Sequence, residues 1–179
     1  MTKISVQQII DSLGLEPLPV EGGLFRQTLL SPETIPQSAL PTRYSADKPF
    51  KTAIYFMLTA EAASFSALHK LPTDEMYHFY LGDPVEMLLL HPDGQSERVI
   101  LGQNILKGQH VQFNVPRDVW MGSRLLPGGD FALMGTTMAP GFTPEDFVGG
   151  ERDQLIEAYP AEVDLIRQLT RPDAPLHMD

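Results

Sequence analysis

Apolar residues recur along this chain at two different periods, and the changes of period divide it into three parts. Val6, Ile9, Ile10 and Leu13 follow the i, i+3, i+4, i+7 spacing of an amphipathic helix over about residues 5–13. Ser5 with Gln8 makes a capping box at its start and Gly14 supplies the stop. Pro17 and Pro19 then force an extended segment, and after Glu21, Gly22 and Gly23 the period shortens to that of a strand. Leu24 to Leu30 puts Phe25 and Gln27 on one side and Arg26 and Thr28 on the other.

Strand-like segments continue to about residue 138. Lys51 to Thr59 is almost continuously apolar, as in a strand buried on both faces, and Ser64 to His69 alternates. Val85 to Leu90 and Glu97 to Leu101 flank His91-Pro92-Asp93-Gly94, whose Asp-Gly pair is a strong hairpin signal. In His110 to Val115, Val111, Phe113 and Val115 should face a core while His110, Gln112 and Asn114 face away. Trp120 to Leu126 and Asp130 to Thr137 form a last hairpin, turned at Pro127-Gly128-Gly129. About eight short strands in succession predict a sandwich or barrel within one domain. Ser31 to Pro49, broken by four prolines, reads as a long surface loop of the kind that covers a pocket or docks on a neighbouring subunit. Beyond Pro140 the helical period returns over about residues 144–170. Thr143, Pro144 and Asp146 form a helix start, followed by Leu155, Ile156 and Tyr159, then Val163, Ile166 and Leu169. The tail, residues 171–179, is rich in Pro and Asp and reads as disordered.

Charge narrows the range of partners. With 13 Lys plus Arg against 23 Asp plus Glu and no local basic cluster, a net charge of -10 argues against nucleic acid and anionic membrane surfaces. The absence of cysteine excludes a disulfide scaffold and a thiolate nucleophile. No signal peptide or membrane span is visible in the first residues, so a cytoplasmic location is expected. The many strand edges and the proline-rich loop make a homodimer the expected assembly.

The densest chemistry lies in Phe65 to Leu90, where His69, Glu75, Tyr77, His78 and Tyr80 precede a Gly-Asp-Pro turn. His69, Glu75 and Gly82, with six residues between the last two, resemble the first motif of the cupins, His-x-His, three or four residues, Glu, six residues, Gly. Leu71 stands in place of the second histidine. The second motif, Pro-x-Gly-x-x-His, is similar to Pro116 to Met121, with Asp118 for the glycine and Met121 for the histidine. With the Glu21 to Thr28 segment, these stretches look like the cupin branch described as a domain of unknown function, cupin family 5, over about residues 5–170. The resemblance implies an all-β double-stranded β-helix with flanking helices, a small-molecule pocket and a dimer. It does not imply one activity, because this fold hosts many.

Within the pocket, His69 reads as a base or ligand and Glu75 as its inward-facing partner, with Asp74 turned out; the alternative is a histidine satisfied at a sheet edge and carboxylates in water. His78 falls on the opposite face from Glu75 unless a bulge intervenes. If a divalent metal is the cofactor, His69 and Glu75 supply two of its ligands and a third must come from His78, His110 or Gln112. Phe65-Ser66-Ala67-Leu68-His69 also looks like the Arg-Gly-Leu-His segment of cupin sugar-nucleotide 3,5-epimerases, with Ser66 replacing the arginine and Ala67 the glycine. That likeness implies His69 as base, Tyr77 or Tyr55 as acid, and Arg26 holding an anionic part of the substrate. Three readings follow: an isomerase or epimerase on a sugar-like molecule, a metal-dependent oxygenase or decarboxylase, and a non-catalytic pocket in which Trp120, Phe79 and Tyr80 stack on a ligand.

Overall fold

The computed structural model describes residues 4–178. The N-terminal helix α1 spans Val6–Leu13, with both bonds of the Ser5–Gln8 capping box made and Gly14 left-handed at its end. The strands are β1 (Glu16–Pro17), β2 (Leu24–Leu30), β3 (Thr34–Ile35), β4 (Lys48–Pro49), β5 (Thr52–Thr59), β6 (Ser66–Lys70), β7 (Glu75–Gly82), β8 (Val85–Leu90), β9 (Ser96–Leu101), β10 (Gln112–Val115), β11 (Trp120–Leu125), β12 (Phe131–Met138) and β13 (Val148–Gly149). Helices α2 (Arg152–Ala158) and α3 (Val163–Gln168) follow. None of the described helices is long and apolar enough to cross a membrane.

Two antiparallel sheets face each other, ordered β1-β2-β5-β12-β7-β10 and β13-β6-β11-β8-β9. This is the all-β jelly roll with flanking helices that the family resemblance implies, one form of the sandwich or barrel that the alternating pattern predicts. Alternate residues of each strand meet between the sheets, where Phe56, Leu58, Tyr77, Phe79, Met87, Leu89, Met121 and Met134 form the main core. The outward residues are also covered. Ile9 and Leu15 pack on Met57 and Leu133, and α2 and α3 lay Leu155, Leu165, Ile166 and Leu169 on Leu68, Leu88 and Leu90. That double burial explains why β5 and β8 read as unbroken apolar runs.

Local differences from the sequence pattern have identifiable causes. The Ser31–Pro49 stretch is not a plain loop, because Thr34 pairs with Pro49 and Ile35 with Lys48. The helix expected from Thr143 is one 3₁₀ turn, Pro144–Asp146, whose capping box forms but whose chain then leaves to pair as β13 with β6. Val111 is exposed rather than in the core, since β10 begins one residue later and only its backbone carbonyl is used, by the Phe79 N–H. The tail is not free. Gly149 N–H donates to the Leu176 carbonyl at 2.7 Å, and the Arg171 guanidinium donates to the Ala63 carbonyl at 2.6 Å while lying 4.2 Å above the Phe65 ring.

Gly82 and Asp118 mark the two motif turns. A Cβ on Gly82 would lie 2.3 Å from the Phe131 carbonyl oxygen at a φ of 106°, so only glycine fits. Asp118, where the motif has glycine, keeps a left-handed φ of 64°.

Candidate functional site

His69 sits on β6, whose inward positions are Ala67 and His69 and whose outward Leu68 is held under α3. Its ring is 2 % exposed. Nδ1 lies 2.7 Å from the Ala67 carbonyl oxygen, which can only accept, so in the neutral ring the proton is on Nδ1 and Nε2 is left as an acceptor. The Phe147 ring stacks on the imidazole at 5.0 Å, and Glu21 Oε2 lies 4.0 Å from Nε2. Glu21 is fixed there by the Ser66 hydroxyl, which donates to its Oε1 at 2.6 Å, and by its carbonyl oxygen, which accepts from Ala67 N–H.

Glu75 opens β7 on the inward face, paired with Met138 of β12 and Val115 of β10. Its Oε2 is buried and has no hydrogen-bond partner among the described residues. Burial pushes its carboxyl up from 4.5 to about 7, and the Glu21 charge adds to this; the opposing pull of His69 and of hydrogen bonds from Thr136 and Tyr77 is smaller. Tyr77 is driven well above the ordinary phenol range, first by burial and then by the charges of Glu75 and Glu21, so it keeps its proton. Its hydroxyl points at Met121 Sδ, 3.9 Å away.

The raised acid has a thermodynamic consequence. Because the folded protein holds this proton more tightly than the unfolded chain, the contribution of Glu75 to stability is fully present below about 4.5 and is lost as the pH rises through about 7. Glu75→Gln removes that dependence. The variant is expected to gain about 2.5 kcal/mol on the wild type between about pH 5 and about pH 8, read from urea unfolding at the two values. Parallel stability profiles for the two proteins would contradict it.

Both residues border a cavity of about 380 Å³ at one end of the barrel. Leu18, Phe25, Ile54, Leu71, Phe142 and Phe147 make its apolar walls, Thr136 and Glu21 join the two motif residues, and Met178 of the tail also lines it. Arg26 borders the cavity from an exposed position on β2, and its Nη1 reaches to within 3.7 Å of where a Cβ on Gly14 would sit, beside the C-terminal end of α1.

The other sequence candidates lie outside this cavity. Tyr55 faces outward with the α1 cluster and meets the Tyr80 ring edge to face at 6.0 Å. His78 is also on the outer face, as strand alternation requires, with Nε2 3.2 Å from the Thr137 hydroxyl and Nδ1 3.3 Å from the Gln112 amide. Tyr80 stacks on His78, so His78, Tyr80, Tyr55 and Gln112 form one external group and not a pocket lining. Trp120 packs outward among the C-terminal helices, with Lys70 Nζ 4.7 Å above its ring. Phe79 belongs to the closed core and His110 is exposed. The residues that sequence reasoning passed over as site members are Glu21, Thr136, Phe147 and Met178.

A metal does not fit this donor set. Leu71 and Met121, which occupy the two motif positions of the missing histidines, are 5 % and 2 % exposed and belong to the core. Among the described residues no three His, Cys, Asp or Glu side chains come together as a ligand group. Adding millimolar Mn²⁺ or Zn²⁺, or removing metal with a chelator, is accordingly expected to leave thermal stability unchanged; a saturable rise on titration would overturn this.

A jelly-roll barrel with a half-enclosed pocket at one end, carrying a histidine and a glutamate on neighbouring sheets, defines the cupin class. The match of residues 7–148 to the Cupin superfamily (DUF985) model places the chain in that family, and it belongs there. The uncharacterized protein YML079W of Saccharomyces cerevisiae is 30% identical over 161 residues, covering 84% of this chain and 78% of that protein. The crystal structure of protein SO0799 from Shewanella oneidensis is similar with a TM-score of 0.81 and 29% identity, covering 95% of this chain and 99% of that one. Oxalate decarboxylase of Bacillus subtilis shares the fold alone, with a TM-score of 0.51 and 11% identity, covering 92% of this chain and 40% of that one.

Proposed function

We propose that the cavity binds a small molecule and moves a proton on it, as an isomerase or epimerase acting beside a carbonyl group. One observation carries this reading: His69 and Glu75 line the same half-enclosed cavity, and neither His69 Nε2 nor Glu75 Oε2 has a hydrogen-bond partner among the described residues. His69 takes the proton from carbon through Nε2, and the nearby Glu21 carboxylate stabilises the imidazolium as it forms. Glu75, protonated over part of the neutral range, returns a proton or hydrogen-bonds the developing enolate oxygen. It takes the acid role that the epimerase likeness gives to Tyr77 or Tyr55, because Tyr77 is held in the core and does not line the cavity, and Tyr55 lies outside. The test is solvent deuterium exchange into candidate carbonyl compounds, compared between wild type and His69→Ala.

The same proposal includes a homodimer and a cytoplasmic location. Beyond Phe25, β2 pairs on one side only, with β5, and the neighbouring Leu29, Leu30 and Phe50 are 36%, 57% and 49% exposed. A second copy covering this edge accounts for both features. Sedimentation velocity is expected to give twice the chain mass; a monomer at all concentrations would exclude it.

A further inference from the structure

The charges lining the cavity are mostly negative. Glu21 and Glu75 line it together with His69, and Glu16 lines it from an exposed position. Against these three carboxyl groups the described lining residues hold one permanent cation, Arg26, whose Nη1 lies beside Gly14 at the end of α1. Glu75 lines the cavity although only 7% exposed, and its Oε2 has no hydrogen-bond partner among the described residues. An unsatisfied buried acceptor beside a second carboxylate is matched by a hydrogen-bond donor carrying positive charge and opposed by an anion.

We propose that the ligand of this cavity is a small organic cation, an ammonium or amidinium on an apolar body, and not the phosphorylated sugar that the epimerase likeness implies. The cationic end meets Glu21 and Glu75, and the body lies against Phe25, Phe142 and Phe147, whose ring faces also favour positive charge. This assignment rests on the cavity being the ligand site, and it names the substrate class: an amine-bearing carbonyl compound. The Ser66 hydroxyl that stands in place of the epimerase arginine supports it, because it donates to Glu21 and brings no charge of its own.

Matched probes test it with the full chain. Calorimetric titration and thermal shift with benzylamine, benzyl alcohol and benzoate at neutral pH compare a cation, a neutral molecule and an anion of similar size. Benzylamine is expected to bind at least about tenfold more tightly than benzoate, with the alcohol between them. Glu21→Gln is expected to narrow the gap, although the wild-type order alone decides. Benzoate binding as tightly as benzylamine, or none of the three binding up to about 10 mM, overturns the assignment. His69→Ala separates the two readings. If the cation preference persists in wild type and variant while no proton exchange is found, catalysis is rejected and the ligand class stands. If exchange is found without the preference, only the ligand class falls.

Discussion

His69→Ala is expected to abolish solvent deuterium incorporation into the substrate, with a rate loss of about 10²–10⁴-fold, the usual contribution of a positioned general base. The imidazole is held from three directions: Nδ1–H donates to the Ala67 carbonyl, Phe147 stacks on one ring face, and Glu21 lies 4.0 Å from Nε2. That arrangement fixes both tautomer and orientation, so the base has a defined line of approach to bound carbon. The loss should appear in kcat with ligand affinity nearly kept, because the proposed cationic ligand would be held by Glu21 and Glu75. A wild-type protein that exchanges no proton with any amine-bearing or sugar-like carbonyl compound would remove the catalytic reading and leave a binding pocket. Exchange that survives unchanged in the variant would reassign the base.

Lys48→Ala is expected to destabilise the protein by about 3–5 kcal/mol, because it strands a buried carboxylate. Lys48 Nζ lies 2.6 Å from Asp146 Oδ1, with side-chain exposures of 2% and 5%, and also donates to the Thr143 hydroxyl. The pair ties β4 to the turn that delivers Phe147 to the imidazole of His69. Urea unfolding should show the loss, and the Lys48→Met, Asp146→Leu double variant should recover much of it, since an apolar pair of similar volume leaves no unpaired charge. If the single variant were as stable as wild type, the pair would not be the clasp described. Proton exchange should fall in Lys48→Ala even at temperatures where it is folded, through the loosened Phe147.

Strand period and turn residues were enough to predict a sandwich or barrel, while the jelly roll and the inward placement of His69 and Glu75 were implied by the resemblance to the first cupin motif. Alternation also put His78 opposite Glu75, where it is found. What alternation cannot supply is which face of a strand is the inside when both are covered. Tyr55 lies next to Ile54 on β5, and only Ile54 borders the cavity; Tyr55 turns out because α1 lays its apolar stripe over that face. Trp120 was assigned to the pocket for its aromatic surface, but the C-terminal helices need a partner there and take it. Glu21 had no periodic signal at all. It reaches the site through contacts with Ser66 and Ala67, 45 and 46 positions further along the chain, and only its place in a Gly-Gly turn before β2 hinted at a fixed backbone.

Met178, one residue from the end of the sequence, forms part of the cavity wall. A polyhistidine purification tag there would bring imidazoles to a barrel end whose own lining offers too few donors. Nickel or zinc retained by such a preparation would then report the tag, and a metal content belonging to the barrel has to be measured with the tag cut away or moved to the other terminus.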